Sequence, residues 1–396
     1  MPYSAHVETL RIRSLPLSPP LRIFIGTRLL VWVVTVYAWV WFVPRPDFHG
    51  ELGYVTQIWA RGDSFWFIGI AQHGYERNGG EVFYPLYPLG LAGLGRALGG
   101  YYVTAGIVIS LACCAAAFVL LYKLALRHMD AAAAGRAVLY LALCPMSLFL
   151  QAVYSESLYL LCAVGAFLLA ERGRWLPAAF VTGLAMLTRV AGVALLPPML
   201  LFAWRSPERR RAVASLAVAP LVAALYPLWL QLQLHAPRAA FSNEAGWDRH
   251  VSSVGPLAGL WHGVQAVWAG IEQLATGNRT HSYWSHSHAD PFYVAAHNLE
   301  DFAFLLAFVA LGIVAWRRIG APYGLFVLGS LAIPLSAPPS NYPLQSMPRF
   351  CLPLFPAFLA LALLATTARR DRIIVIASSA FLAIAAAEWA TGQWVS

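Results

Sequence analysis

The densest group of side chains capable of chemistry lies in residues 59–75, where one carboxylate, Asp63, stands among aromatic and apolar neighbours. A carboxylate in apolar surroundings is costly unless it is paired or used. Two interpretations of Asp63 remain open on spacing alone. It is either a general base that takes a proton from a substrate hydroxyl, or it caps a helix predicted to start at Ser64 by accepting backbone N–H bonds.

The composition places this segment in a membrane protein. Of the 396 residues, 59% are hydrophobic and only 11% are charged, whereas about 25% of a soluble domain is charged. A membrane-spanning helix needs about 20 mostly apolar residues, and such stretches recur along the chain. We predict an all-α integral membrane protein that forms one polytopic domain over residues 1–396, with about eleven spans. The spans are predicted near residues 23–43, 102–122, 137–153, 156–170, 175–188, 190–204, 212–234, 302–316, 321–336, 350–367 and 373–389.

The distribution of charge predicts the orientation of the chain in the membrane and argues against nucleic-acid binding. The chain has 27 basic and 18 acidic residues, and short basic clusters alternate with apolar runs. This pattern follows the positive-inside rule, which places the N-terminus in the cytoplasm, and it argues against a nucleic-acid partner. The first apolar run lacks a small-residue cleavage site, so we expect an anchor and no cleavable signal peptide. All five cysteines lie in apolar runs, and we expect neither a disulfide nor a metal site from them.

Two long segments, residues 44–101 and 235–301, are predicted on the outer face. They contain amphipathic stretches near residues 52–73 and 256–275, which would lie along the membrane surface as interfacial helices. Long ordered loops on one face of a rigid scaffold commonly carry function. The sequence therefore predicts that the site lies on the outer face, at the boundary between lipid and water.

Four segments, in the same order along the chain, resemble the signature of the PIG-V family of mannosyltransferases. They are residues 62–75 with 83–88, residues 154–158, residues 188–192 and residues 348–350. The sequence departs from the family at Gly62, where the family has Trp, and at Val190 and Ala191, which replace Ser-Asn. The resemblance implies membership of the GT-C superfamily, whose polytopic enzymes take a sugar from a polyprenyl-phosphate carrier and work on the outer face. It also implies that Asp63 is the catalytic base.

The chemistry of such a transfer suggests roles for further residues. Arg and His side chains stabilise a departing phosphate, and the candidates for the donor phosphate are Arg189, Arg349, Arg61 and His73. Three of the four have an alternative: Arg61 could extend toward the membrane interface, Arg349 could anchor a helix there, and His73 could bond to a loop carbonyl. The candidates for sugar or acceptor binding are Glu156, Tyr75, Tyr84, Tyr87, His286 and His288. Glu156 could also bond to Arg189, or act as a favourable acid at a helix N-terminus.

The expected reaction is inverting transfer of a hexose, with mannose favoured, from a polyprenyl-phosphate donor to a lipid, glycan or protein hydroxyl. Membrane lipids are the other expected partners. No cofactor is expected; a divalent metal ion is not favoured, since the first outer segment has no Asp-x-Asp pair and the histidines of 281–288 fit no standard zinc spacing. The composition is typical of a bacterium, which predicts the plasma membrane with an extracytoplasmic site. Transfer of another sugar, such as glucose or a pentose, remains open, as does a non-catalytic transporter or binder of lipid-linked sugars.

Overall fold

The computed structural model describes residues 17–43, 51–284, 290–393 and 395, and these residues are overwhelmingly helical. The α-helices are α1 (Pro19–Phe42), α2 (Tyr54–Gln57), α3 (Asp63–His73), α4 (Leu86–Ala97), α5 (Tyr102–Ala125), α6 (Ala131–Ala142), α7 (Glu156–Glu171), α8 (Trp175–Met186), α9 (Leu196–Trp204), α10 (Arg209–Leu216), α11 (Val218–Ala223), α12 (Leu225–Leu234), α13 (Ala239–Ser242), α14 (Pro256–Thr276), α15 (Pro291–Arg318), α16 (Ala321–Leu335), α17 (Met347–Cys351), α18 (Phe355–Leu364) and α19 (Ala368–Thr391). Short 3-10 helices cover Gly80–Val82, Pro145–Leu150, Val190–Leu195 and Asn243–Trp247, and Glu51–Gly53 forms a three-residue extended segment, β1. The predicted all-α class is confirmed.

Within the described residues, five helical stretches are long and apolar enough to cross a membrane. They are α1, α5, the stretch Arg209–Leu234 that α10 to α12 form together, α15 and α19. Shorter apolar helices cover Ala131–Ala142, Trp175–Met186, Val190–Trp204, Ala321–Leu335 and Phe355–Leu364. Together with α7, these helices overlap the eleven segments predicted from the sequence. The predicted span 137–153 is wrong in its bounds, because α6 ends at Ala142 and a 3-10 helix and irregular backbone follow it. The number of spans and the orientation of the chain stay predictions.

The two segments predicted as outer loops contain helices of their own. In residues 44–101 the main helices are α3 and α4, and the stretch 52–73, predicted as one interfacial helix, is divided into the short α2 and α3. In residues 235–301 the main helix is α14, which packs against α15 and α16. One side of α14 exposes large apolar side chains, among them Trp261 and Trp268, as expected of a helix that contacts lipid.

Helix α7 forms the centre of the bundle, since most of its residues are buried. It packs against α5 on one side and α8 on the other. Small residues allow these helices to approach closely. Gly106 of α5 shows a similar close approach to the segment before α7. A Cβ atom there would lie 2.5 Å from Cγ1 of Val153, so the glycine lets α5 pack directly against the residue that precedes Tyr154.

Several helices end early at one end of the bundle, where irregular backbone replaces them. Residues 151–155 connect the 3-10 helix Pro145–Leu150 to α7 and are buried throughout. Residues 187–189 separate α8 from the 3-10 helix Val190–Leu195, and a loop separates α16 from α17. In a membrane protein, non-helical backbone is tolerated where it is buried in protein or lines a cavity. These interruptions carry Tyr154, Arg189 and Arg349 to the same region.

A buried arginine satisfies the backbone where α6 ends. Arg28 of α1 is only 5% exposed. Its Nη1 donates to the Ser147 carbonyl at 2.5 Å, and its Nη2 donates to the Ala142 carbonyl at 2.8 Å and to Ser147 Oγ at 3.1 Å. The carbonyls at the end of a helix have no partners within the helix, so Arg28 supplies donors that the interruption requires.

Replacing Arg28 by Gln should destabilise the protein, because a shorter amide leaves the buried Ser147 carbonyl without its donor, and the Ala142 carbonyl with only the Ser147 hydroxyl. The expected cost is about 1–3 kcal/mol, measured as a lower thermal unfolding midpoint in detergent. Arg22→Gln is the matched control, since Arg22 lies on the same helix and is exposed. Equal midpoints for the two variants would show that the bonds of Arg28 contribute nothing to stability.

Candidate active site

A cavity of about 740 Å³ lies at the end of the bundle where the interrupted helices meet. Its polar and aromatic wall includes Asp63, Phe67, Phe83, Tyr84, Tyr154, Glu156, Tyr159, Arg189, Glu244, Arg249, His250, Arg349 and Phe350. Small-molecule sites commonly enclose roughly 300–1,000 Å³, so the cavity is large enough for a sugar and its phosphate.

Asp63 enters the cavity from a tight turn. The turn spans Arg61 to Ser64, with the Ser64 N–H donating to the Arg61 carbonyl at 3.1 Å. Gly62 has φ 55° and ψ −122°, values of the first central position of a type II′ turn, which glycine favours. Helix α3 begins at Asp63, and its N-cap is Gly62 without a side-chain cap. The alternative that Asp63 caps a helix starting at Ser64 is therefore wrong.

The hydroxyl of Tyr154 makes two hydrogen bonds to the backbone of this turn. It donates to the Arg61 carbonyl at 3.0 Å and accepts from the Asp63 N–H at 3.1 Å. A Cβ atom at position 62 would lie 2.8 Å from the same hydroxyl. The positive φ and the tyrosine together explain why this turn requires glycine at position 62.

Three further hydrogen bonds fasten the residues just before the turn. Trp389 Nε1 donates to the Ile58 carbonyl at 2.6 Å, and the Val153 N–H donates to the Trp59 carbonyl at 3.1 Å. Arg61 Nη2 donates to the Ala390 carbonyl at 2.9 Å. The guanidinium of Arg61 thus joins the first outer segment to α19, away from the cavity wall.

Two acids and two arginines form an alternating chain of charges on the cavity wall. Arg349 Nη2 lies 2.8 Å from Asp63 Oδ2, and Arg349 Nε lies 3.2 Å from Glu156 Oε1. The same Oε1 lies 2.9 Å from Arg189 Nη1. The predicted bond between Glu156 and Arg189 is confirmed. These ion pairs connect the first residues of α3 and α7 with the break after α8 and with α17.

The exposure of these groups separates those that a ligand can reach from those that it cannot. The side chain of Glu156 is 1% exposed, and its Oε2 is buried without a hydrogen-bond partner among the described residues. The side chain of Asp63 is 26% exposed, and within the described part of the chain its Oδ1 has no partner. Asp63 can therefore meet a substrate, whereas Glu156 is held behind the two arginines.

The structure brings only some of the predicted binding residues to the cavity. Tyr84 lies on its wall. Tyr75 donates to the Phe83 carbonyl at 2.5 Å and packs against Tyr226. Tyr87 is fully buried, with its hydroxyl 3.2 Å from the Gly106 carbonyl and 3.2 Å from Ser110 Oγ.

The predicted histidines contribute nothing to the described cavity wall. His73 is exposed at the end of α3. His286 and His288 lie outside the described residues. In the described part of the chain, no group of three or more His, Cys, Asp or Glu side chains is arranged to hold a metal ion.

The second of the two segments predicted on the outer face, residues 235–301 (the middle outer segment), adds Glu244, Arg249 and His250 to the cavity, and the sequence analysis missed all three. Residues 243–250 have neither a periodic pattern nor a resemblance to the family signature, so no local signal marks them. Burial raises the pKa of the Glu244 carboxyl, and the nearby Arg249 opposes that rise. An acid with a raised pKa in a cavity is a common property of functional sites.

Hydrogen bonds hold this middle segment over the cavity. Asp248 has φ 57°, and its carboxylate accepts from the Ser340 N–H at 2.7 Å and from Ser340 Oγ at 2.9 Å. The Ser252 N–H donates to the Ser336 carbonyl at 2.8 Å. The segment thereby stays attached to the loop between α16 and α17.

The middle segment also contacts the first outer segment. Asn243 Nδ2 donates to Glu81 Oε2 at 2.9 Å. The ring of Trp247 lies 5.6 Å from that of Trp66 and 5.7 Å from that of Phe83. The two outer segments therefore form one aromatic cover beside the cavity.

All four segments that resemble the PIG-V signature meet at this cavity, and the comparison with known families agrees with them. Residues 52–203 match the family described as mannosyltransferase (PIG-V). The resemblance is confirmed over that stretch, which includes Asp63, Tyr154, Glu156 and Arg189, and it supports a membrane glycosyltransferase. Arg249 and Arg349 lie beyond it. No curated protein matches the chain.

Solved structures of an archaeal oligosaccharyltransferase are similar to this chain at low identity. One is AglB from Archaeoglobus fulgidus in complex with an inhibitory peptide and a dolichol-phosphate; its identity is 14%, its TM-score is 0.48, and the match covers 94% of this chain and 56% of that chain. Another is the oligosaccharyltransferase of the same organism in the apo form, with 14% identity and a TM-score of 0.48, over 95% of this chain and 56% of that chain. The chain thus spans little more than half the length of these proteins.

Substituting Gly62 by Ala should destabilise the turn that presents Asp63, because an L-residue avoids this backbone conformation and its Cβ meets the Tyr154 hydroxyl. The expected cost is about 1–3 kcal/mol, measured by thermal unfolding. Gly69→Ala is the matched control: Gly69 lies inside α3 with open space around its Cβ position, so alanine there should be neutral or stabilising. A midpoint for Gly62→Ala at or above that of Gly69→Ala would contradict this account.

Replacing Tyr154 by Phe should impair any reaction that uses Asp63, since the turn loses both bonds to the hydroxyl while the ring still fills its place. A loss of roughly tenfold in turnover is expected, with a smaller effect on ligand affinity. Tyr140→Phe is the control, because its hydroxyl donates to Asp371 Oδ1 at 2.6 Å, at the other end of α19. If both variants turned over at the same rate, the turn would not depend on Tyr154.

Proposed function

We propose that this protein transfers a hexose, with mannose favoured, from a polyprenyl-phosphate donor to a hydroxyl of an acceptor, with Asp63 as the general base. The observation that carries the proposal is the state of the Asp63 carboxylate. Its Oδ2 is held by Arg349 at 2.8 Å, while Asp63 lines the cavity and its Oδ1 has no partner among the described residues. A base needs one oxygen fixed for orientation and one free for the proton.

The proposed reaction is a single displacement at the anomeric carbon. The acceptor oxygen forms a bond to that carbon while the bond between the carbon and the phosphate oxygen breaks. The acceptor proton passes to Asp63, and the polyprenyl phosphate leaves with the electron pair of the broken bond. Attack opposite the leaving group inverts the anomeric configuration.

Arg189 and Arg349 are the arginines predicted to stabilise the departing phosphate, and both line the cavity. Each keeps N–H donors beyond those in its ion pairs, because a guanidinium carries five. Their positive charges are already offset by Asp63 and Glu156, however. In this proposal their first role is to orient the two carboxylates.

Glu156 acts as a positioning residue in the proposed reaction. Since its side chain is 1% exposed, it meets the substrate only through Arg189 and Arg349. Tyr84 is the predicted aromatic residue that remains in position to contact a sugar. Arg61, His73, Tyr75 and Tyr87 have other partners or positions, and the proposal assigns them no contact with the donor.

The acceptor hydroxyl belongs to a lipid, a glycan or a protein, and the proposal requires neither a cofactor nor a metal ion. The cavity lies at one end of the bundle, and the basic clusters predict that this end faces away from the cytoplasm. A bacterial plasma membrane with the reaction on its outer face agrees with that distribution. A long prenyl chain would remain in the lipid while its phosphate enters the cavity.

Asp63→Asn should abolish transfer without abolishing donor binding, because the amide keeps the shape of the carboxylate and cannot take a proton. Loss of a general base typically costs about 10²- to 10⁴-fold in rate. The assay uses purified protein, a radiolabelled polyprenyl-phosphate mannose and total membrane lipid as acceptor, and it measures label in a new product.

Glu208→Gln serves as the matched control, because Glu208 is an exposed acid outside the cavity. Unchanged transfer by Asp63→Asn would remove Asp63 as the base. Binding of the labelled donor by wild type, with no product from any membrane lipid, glycan or peptide fraction, would instead favour a non-catalytic binder of lipid-linked sugars.

A further inference from the structure

Three guanidinium groups surround one aromatic ring in the cavity. The Cζ atoms of Arg189, Arg249 and Arg349 lie 5.9, 5.5 and 5.9 Å from the centroid of Phe350. Arg189 and Arg349 are ion-paired with Asp63 and Glu156, as described above. The third arginine is in a different electrostatic situation.

Within the described parts of the chain, the Arg249 guanidinium donates to backbone carbonyls alone. Its Nη1 lies 3.4 Å from the Ala337 carbonyl, and its Nη2 lies 3.2 Å from the Gln345 carbonyl. Both distances are at the long end of the range for N–H···O bonds. Among the described residues, no carboxylate oxygen lies within 4 Å of its guanidinium, whereas Arg189 has one and Arg349 has two.

The acids nearest to Arg249 along the chain are engaged elsewhere. The carboxylate of Asp248 accepts two bonds from Ser340. Glu244 offers Arg249 its backbone carbonyl, which accepts from the Arg249 N–H at 3.1 Å, while burial raises the pKa of its carboxyl. The positive charge of Arg249 is therefore balanced only in part by the protein.

A partly buried cation without a close counter-charge is unfavourable. Burial lowers the pKa of the Arg249 guanidinium and Arg349 lowers it further, while Glu244, Asp248 and Asp301 oppose this effect. An anionic ligand in the cavity would supply the missing charge, and the planar guanidinium matches two oxygens of a phosphate.

We propose that Arg249 of the middle outer segment is the principal ligand of the donor's phosphate, with Arg189 and Arg349 committed first to the two carboxylates. This inference rests on the proposed function, since it presumes a donor that carries a phosphate. It places the phosphate contact in a segment beyond residues 52–203, whereas the base lies within them.

The surroundings of Arg249 suit a phosphate attached to a hydrocarbon chain. Phe241 and Val251 line the same cavity, and they are 60% and 85% exposed. Exposed apolar side chains beside a membrane protein's cavity are stable in contact with lipid tails. A ligand with an isoprenoid tail can contact both residues while its phosphate meets Arg249.

The test compares two ligands that differ only in the phosphate: a polyprenyl phosphate without a sugar and the corresponding neutral polyprenol. Binding of each to the full chain in lipid nanodiscs is measured for wild type, Arg249→Gln and Arg249→Lys. Arg238→Gln is the matched control, because Arg238 belongs to the same segment and is exposed. Retained polyprenol binding shows that a variant is folded.

Wild type should prefer the phosphate, and Arg249→Gln should lose about 10- to 100-fold of that preference. Arg249→Lys should keep part of it, because it retains the charge without the planar pair of donors. Arg238→Gln should match wild type. If Arg249→Gln kept the full preference while Arg189→Gln or Arg349→Gln lost it, the inference would be overturned and the proposed donor would stand. If wild type showed no preference for the phosphate, both the inference and the proposed donor would be wrong.

Discussion

The carboxylate of Glu156 is the contact on which the rest of the cavity depends. One buried oxygen lies 2.9 Å from Arg189 and 3.2 Å from Arg349, and Arg349 in turn holds Asp63. An isolated buried carboxylate is strongly disfavoured, so the fold must bring both arginines to it. This requirement explains why α7 begins at Glu156, why α8 gives way to extended backbone at Arg189, and why the short helix α17 precedes α18. The interruptions of the helices and the pairing of charges in the cavity therefore depend on each other.

Much of this organisation could be predicted because its signals are local. Runs of apolar residues located the helices, since about 20 such residues cross a membrane, and four short motifs located Asp63, Glu156, Arg189 and Arg349. The direction in which each side chain points could not be predicted in the same way. His73 and Asp63 share a short helix, yet ten residues of helix separate them by about 15 Å. Arg61 is two residues from Asp63, but its carbonyl, and not its guanidinium, belongs to the turn at the cavity.

Arg249 illustrates what local patterns leave out. Its position results from bonds between residues 248–252 and residues 336–345, which are almost a hundred positions apart in the sequence. Neither segment is periodic, and both are mainly loop. Helices and their breaks therefore position the paired charges of the cavity wall. Loops position Arg249, whose positive charge is left for a ligand. Affinity for the donor and the chemistry at Asp63 would then depend on different parts of the chain.

The contact between Gly62 and Tyr154 has a consequence for how such proteins can diverge. A side chain at position 62 cannot be accepted while the tyrosine hydroxyl lies 2.8 Å from the Cβ position, and glycine cannot be dispensed with while the turn keeps its positive φ. Tyr154 belongs to a segment in which this sequence keeps the family pattern, whereas Gly62 departs from it. A Trp before the acid, together with the same tyrosine, would therefore require a differently built turn to present the carboxylate.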